Sequence, residues 1–108
     1  MEELIKSIRV NRLFDMYGDL LTENQKKMIS LHYQLDLSLG EIAEQEGISR
    51  NAVFDSIKKG LSLLENYEEK LSLIKNEDEL KDYLSSIKNG KSNDVIALIQ
   101  QIEERIKR

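Results

Sequence analysis

The chain has 108 residues with no cysteine and no proline. That is one domain's worth of sequence, and it excludes disulfide staples and thiolate metal sites. Sixteen basic and 20 acidic side chains leave a net charge of −4, an ordinary surface for a soluble protein but a poor one for sequence-independent binding to a polyanion, where phosphate contacts supply the affinity.

Five glycines and the lack of sustained polar–apolar alternation point to an all-α chain. The first helix is expected from about Glu2 to Leu20. Its apolar residues Leu4, Ile5, Ile8, Leu13, Met16, Tyr17 and Leu20 recur at three- and four-residue steps. Thr22 with Gln25 reads as a capping box that opens a second helix carrying Met28, Ile29, Leu31, His32 and Tyr33. Ser38 with Glu41 repeats that pattern, and Leu39, Ile42 and Ala43 supply the buried face of the third helix. Gly47 then ends it, Ile48 plugs the elbow, and Ser49 caps the fourth helix.

Residues 38–60 thus read as a helix-turn-helix. Ala43 is small where the two helices cross, and Gly47 supplies the positive φ often needed at a helix end. Two positions depart from the usual pattern: Glu46 and Ser56 stand where apolar residues are common. The fourth helix reads as long, with Val53, Ile57, Leu61, Leu64, Leu71 and Ile74 on one stripe. Gly60 lies inside it, costing about 1 kcal/mol relative to alanine and marking a bend or a close helix contact. The stripe is expected to pack partly on the C-terminal helices and partly against a second copy in a homodimer, although Glu68 interrupts it.

A fifth helix is expected from Asn76 or Glu77, with Leu80, Tyr83, Leu84 and Ile87 facing a core. Asn89-Gly90-Lys91-Ser92 reads as a turn, and a last helix from about Asn93 carries Val95, Ile96, Leu98, Ile99, Ile102 and Ile106. The division expected is a helix-turn-helix domain over 1–74 and a helical extension over 75–108, packed on that domain or on a partner subunit. No run of about 18 apolar residues could span a bilayer. The start Met1-Glu2-Glu3 lacks the apolar stretch of a secretory signal, so a cytoplasmic location is expected.

The candidate nucleic-acid-binding residues are Ser49, Arg50, Asn51, Phe54, Asp55, Lys58 and Lys59, on or near the outward face of the fourth helix. Arginine and asparagine match guanine and adenine edges, and lysines match phosphates. Phe54 has two readings, stacking on a base or partner, or packing against the first helix. Arg50, Lys58 and Lys59 stand against Glu41, Glu44, Glu46 and Asp55, so the motif itself is net −1, whereas nucleic-acid footprints are usually basic. Lys6, Arg9 and Arg12 recur every third residue on the first helix, either extending a basic surface or forming an ordinary solvated face.

His32 is the lone histidine, so zinc binding is not expected. The carboxylate clusters Glu68-Glu69, Glu77-Asp78-Glu79 and Glu103-Glu104 fall at helix starts or on polar faces, where helix dipoles explain them. Ser85-Ser86 lacks a nucleophile elbow, and no glycine-rich phosphate loop is present. No enzyme activity, metal or cofactor is expected.

The run Ser38-Leu39-Gly40-Glu41-Ile42-Ala43-Glu44, followed by Ser49 to Lys59, resembles region four of bacterial sigma factors. It is more similar still to the YlxM family of small sigma-region-like helical proteins, with support from Asn11-Arg12-Leu13-Phe14-Asp15-Met16-Tyr17, Leu20-Leu21-Thr22 and Leu64-Glu65-Asn66-Tyr67-Glu68-Glu69-Lys70-Leu71. The resemblance covers about residues 10–72. It implies a regulatory protein of the signal recognition particle pathway, with the particle's RNA or its GTPase components as partners. A protein–protein adaptor without nucleic-acid binding and a DNA-binding transcriptional regulator stay open as alternatives.

Overall fold

A computed structural model describes residues 2–89 and 92–106, so part of the expected turn at 89–92 lies outside the described residues. The chain is all-α. Its helices are α1 (Glu2–Tyr17), α2 (Glu23–Ile29), α3 (Leu39–Glu46), α4 (Arg50–Leu71), α5 (Leu73–Asn89) and α6 (Ser92–Ile106). A 3₁₀ turn, Gly18–Leu20, joins α1 to α2, and a π-helical turn, Ser30–Gln34, closes α2. No described helix is long and apolar enough to cross a membrane. Two compact units result, one reaching to Ser72 and the other starting at Leu73.

The first unit is built around α4, which packs on α1, α2 and α3. Val10, Leu13 and Tyr17 of α1, Met28 and Ile29 of α2, Ile42 of α3, and Val53, Ile57 and Leu64 of α4 form its core. Gly60 lets α2 and α4 approach: a Cβ there would sit 2.6 Å from Ile29 Cδ1. Close helix contact thus explains a glycine that helix propensity alone disfavours. On the rim, the Tyr17 hydroxyl donates to Glu68 Oε1 at 2.6 Å, and the Tyr17 and Tyr67 rings lie 6.0 Å apart.

Several expectations need correction. Helix α1 ends at Tyr17, not Leu20, because the 3₁₀ turn redirects the chain so that Leu21 enters the core and Leu20 stays exposed. Its buried face uses Val10, Leu13 and Tyr17, whereas Leu4, Ile5 and Ile8 are exposed. The fourth helix does not carry its stripe through Ile74. Ser72 takes a left-handed conformation, φ 53°, with its N–H bonded to Glu68 O at 2.8 Å. That ends α4 and starts α5 at Leu73, earlier than Asn76. Leu71 is consequently 49% exposed, while Ile57 and Leu64 are buried inside their own unit. These two residues are core, not an open dimer seam.

In the second unit α5 and α6 pair as a hairpin. Arg105 of α6 forms an ion pair with Glu79 at 2.8 Å and also bonds Asn76. Tyr83, Ile87 and Ile102 are partly covered, but Leu80, Leu84, Ile96, Ile99 and Ile106 are exposed, so the core face expected of these helices is only half closed. The side chains of Val95 and Leu98 lie outside the described residues.

Candidate nucleic-acid interface

Local hydrogen bonds fix the helix-turn-helix before any long-range packing acts. Ser38 Oγ accepts from the Glu41 N–H at 3.1 Å, and Glu41 Oε1 accepts from the Ser38 N–H at 3.0 Å. That reciprocal box satisfies two otherwise orphaned donors. The bond from the Ser38 backbone N–H, and after it the Ser38 hydroxyl, hold the Glu41 carboxyl below the ordinary glutamate range. Thr22 and Gln25 repeat the device on α2. At the other end of α3, Gly47 adopts φ 68°, and both its N–H and that of Ile48 bond to Ala43 O. Ser49 Oγ accepts from the Ala52 N–H at 3.0 Å and sets the start of α4. Ile42, Val53 and Ile57 then seal α3 on α4. Ile48 is 40% exposed, so it only partly fills the elbow it was expected to plug.

The residues nominated from sequence fall into three groups. The Ser49 hydroxyl is committed as a cap. Asp55 and Lys59, one turn apart, form an ion pair at 3.0 Å and cancel each other's charge locally. Arg50, Asn51 and Lys58 are exposed, and among the described residues their side chains make no hydrogen bond or ion pair. Phe54 is 54% exposed, so it is not a core residue and more than half of it meets solvent. Arg50, Phe54 and Lys58 follow one another at four-residue steps along α4, so they share one side of the helix.

A groove between α1 and α4 extends this surface. Lys6, Arg9 and Lys58 line it together with Leu61 and Glu65. Arg9 is committed there: its Nε and Nη2 donate to the two carboxylate oxygens of Glu65 at 3.2 and 2.9 Å. Lys6 and Lys58 therefore supply the groove's uncompensated charge. Arg12 is not among its lining residues.

Sequence reasoning flagged Glu46 and Ser56 as misplaced polar residues but did not find their partners. The Lys27 ammonium meets Glu46 at 2.6 Å, and Asn24 Nδ2 donates to Ser56 Oγ at 3.0 Å. Both ties run from α2 to the helix-turn-helix. The Lys27 bond, with a second from Gln45, holds the Glu46 carboxyl below its ordinary range. The signal was the pair of departures themselves, since a polar group at a helix interface needs a partner. His32 Nδ1 lies 2.8 Å from Leu37 O, so that nitrogen carries the proton and donates it. Its ring meets Tyr33 edge-on at 4.9 Å, which accounts for it as a structural residue. Among the described residues no cluster of histidine and carboxylate side chains could hold a metal ion.

A family model described as "Putative helix-turn-helix protein, YlxM / p13 like" matches residues 4–105. The UPF0122 protein YlxM of Bacillus subtilis is 44% identical over 106 residues, covering 94% of this chain and 96% of the relative. The UPF0122 protein BH2485 of Halalkalibacterium halodurans is 44% identical over 105 residues, covering 93% and 96%. A UPF0122 protein of Bacillus pumilus is 43% identical over 106 residues, covering 94% and 96%.

Proposed function

The chain belongs to the YlxM / p13-like helix-turn-helix family, and from that premise we propose that it is a non-catalytic, regulatory nucleic-acid-binding protein whose contact surface is the outward face of α4. The observation that carries this reading is the set Arg50, Asn51 and Lys58: exposed, uncommitted, and placed in the first three turns of the recognition helix. The sequence resemblance directs the reading to the signal recognition particle, with its RNA as the first partner. Gel-shift titration of that RNA across a salt series tests it. Binding is expected at low salt and should weaken as salt rises, because displaced counterions drive phosphate contacts. Arg50→Ala and Lys58→Ala should both weaken it. Absence of any shift at low salt would sink the reading.

A second reading is favoured by charge. The motif is net −1, and Asp55 offsets Lys59 within the very face that would meet a polyanion. In that reading the unit is a protein–protein adaptor that binds the particle's GTPase components directly. It requires capture of the purified GTPase in the absence of RNA together with an altered GTP hydrolysis rate. Failure of both would remove it.

A further inference from the structure

Building on the nucleic-acid reading above, we propose that Phe54 is a stacking platform for an unpaired base in the loop of a folded RNA, with Arg50 and Lys58 holding the phosphates on either side. Three observations converge on this.

The first is the ring. More than half of Phe54 faces solvent, at 54% exposure, beside a core face of the same helix that is sealed by Val53, Ile57 and Leu64. A benzyl side chain can read nothing by hydrogen bonding. Its uses on a nucleic acid are stacking on a base, wedging into a kinked duplex or touching a methyl group, and stacking on the whole face of one base requires that base to be out of its duplex. A-form RNA closes its major groove to side chains, so unpaired loop bases are the ones offered to aromatic rings.

The second is the setting of the ring. Arg50 lies four residues before Phe54 and Lys58 four after it, each about 6 Å away along the helix axis. Neither is drawn into an intramolecular ion pair among the described residues. Lys6 shares the groove beside Lys58 and continues the cationic path from α4 onto α1. An exposed aromatic flanked by free cations, with a cationic groove beginning at Lys58 one turn further on, suits a single strand: bases stack while phosphates track the charge.

The third is the charge around it. A DNA duplex presents one negative charge per about 1.7 Å of axis, and one strand presents half of that. A protein at −4 with a motif at −1 has few cations to set against a duplex. Arg50, Lys58 and Lys6 suit a short unpaired segment.

The experiment uses the full chain and three fluorescein-labelled probes at low salt: a hairpin RNA with a uridine-rich loop, the same stem as a blunt RNA duplex, and a DNA duplex. The loop hairpin should bind more tightly than either duplex. Phe54→Ala should weaken loop binding by about tenfold, within the range seen when one stacked base is lost. Phe54→Tyr should restore it, and Phe54→Leu, which keeps the apolar bulk, should not. The exposure of the ring means these variants should fold, checked by unchanged helical circular dichroism. Equal binding of loop and duplex probes, or full affinity in Phe54→Ala, overturns the stacking platform while leaving nucleic-acid binding intact. Failure of all three probes overturns this inference, and failure of the particle's RNA to shift as well removes the reading it rests on.

Discussion

In the unit that ends at Ser72, Ile42, Val53 and Leu64 retain no exposure, while in the α5–α6 hairpin Leu80, Leu84 and Ile99 retain 45–49%. Both regions are amphipathic helices with similar stripes, so the contrast lies in the number of faces available. Three helices converge on α4 and cover its stripe from several sides. Two helices share only one seam, and a unit under about 40 residues rarely closes a core alone. The outer face of α4 leaves mainly polar residues and Phe54 open, and the hairpin leaves leucines and isoleucines open. The lesson is that exposure means different things in the two. On α4, Leu71 at its end aside, the open residues are those a buried stripe does not need. On the hairpin they are the stripe itself.

The sharpest way to break this contrast is truncation in each region. Leu64→Ala should cost about 2–5 kcal/mol, as for other fully buried leucines. Leu84→Ala should stay within about 0.5 kcal/mol, as for a surface site. Urea denaturation followed by circular dichroism measures both, and equal losses would mean that the hairpin face is covered in solution. A smaller effect probes the rim of the first unit. Tyr17 is buried with its hydroxyl on Glu68, so Tyr17→Phe should cost about 1.5–3 kcal/mol, the range for a bond to a charged group. A loss near zero would show that Glu68 is satisfied without it.

The smallest expected effect is pH-dependent. Lys27 holds the Glu46 carboxyl below its ordinary value in the folded chain. The unfolded chain therefore binds that proton more readily, and the tie stabilises the fold above the ordinary glutamate range. As pH falls through and below that range, the contribution disappears. Melting temperatures of the protein and of Glu46→Gln should differ slightly at neutral pH and converge in acid. Added salt should also shrink the gap, because the Lys27 ammonium is exposed. A gap that widens in acid would contradict the ion pair.

What the sequence revealed follows from the range of the forces involved. Thr22, Ser38 and Ser49 were identifiable as caps because a cap is complete within four residues, and Gly47 because only glycine enters its backbone region freely. The end of α4 was not identifiable. Ser72 adopts a left-handed conformation without the glycine or asparagine that usually announces one. The stripe therefore read straight through to Ile74. The partners of Glu46 and Ser56 were hidden because both ties join distant parts of the chain. For the candidate site, residue identity and helix face could be read, but not commitment: only the fold separates Lys59, paired with Asp55, from Lys58, or Arg9, paired with Glu65, from Lys6.

The central claim is that α4, not the hairpin, meets the ligand. Amide chemical shifts of the full chain, recorded while a loop-bearing hairpin RNA is titrated in at low salt, test it most directly. Perturbations are expected at residues 49–59 and at Lys6 across the groove, with residues 73–89 unmoved. Perturbations confined to the hairpin, or none at saturating RNA, would contradict that claim.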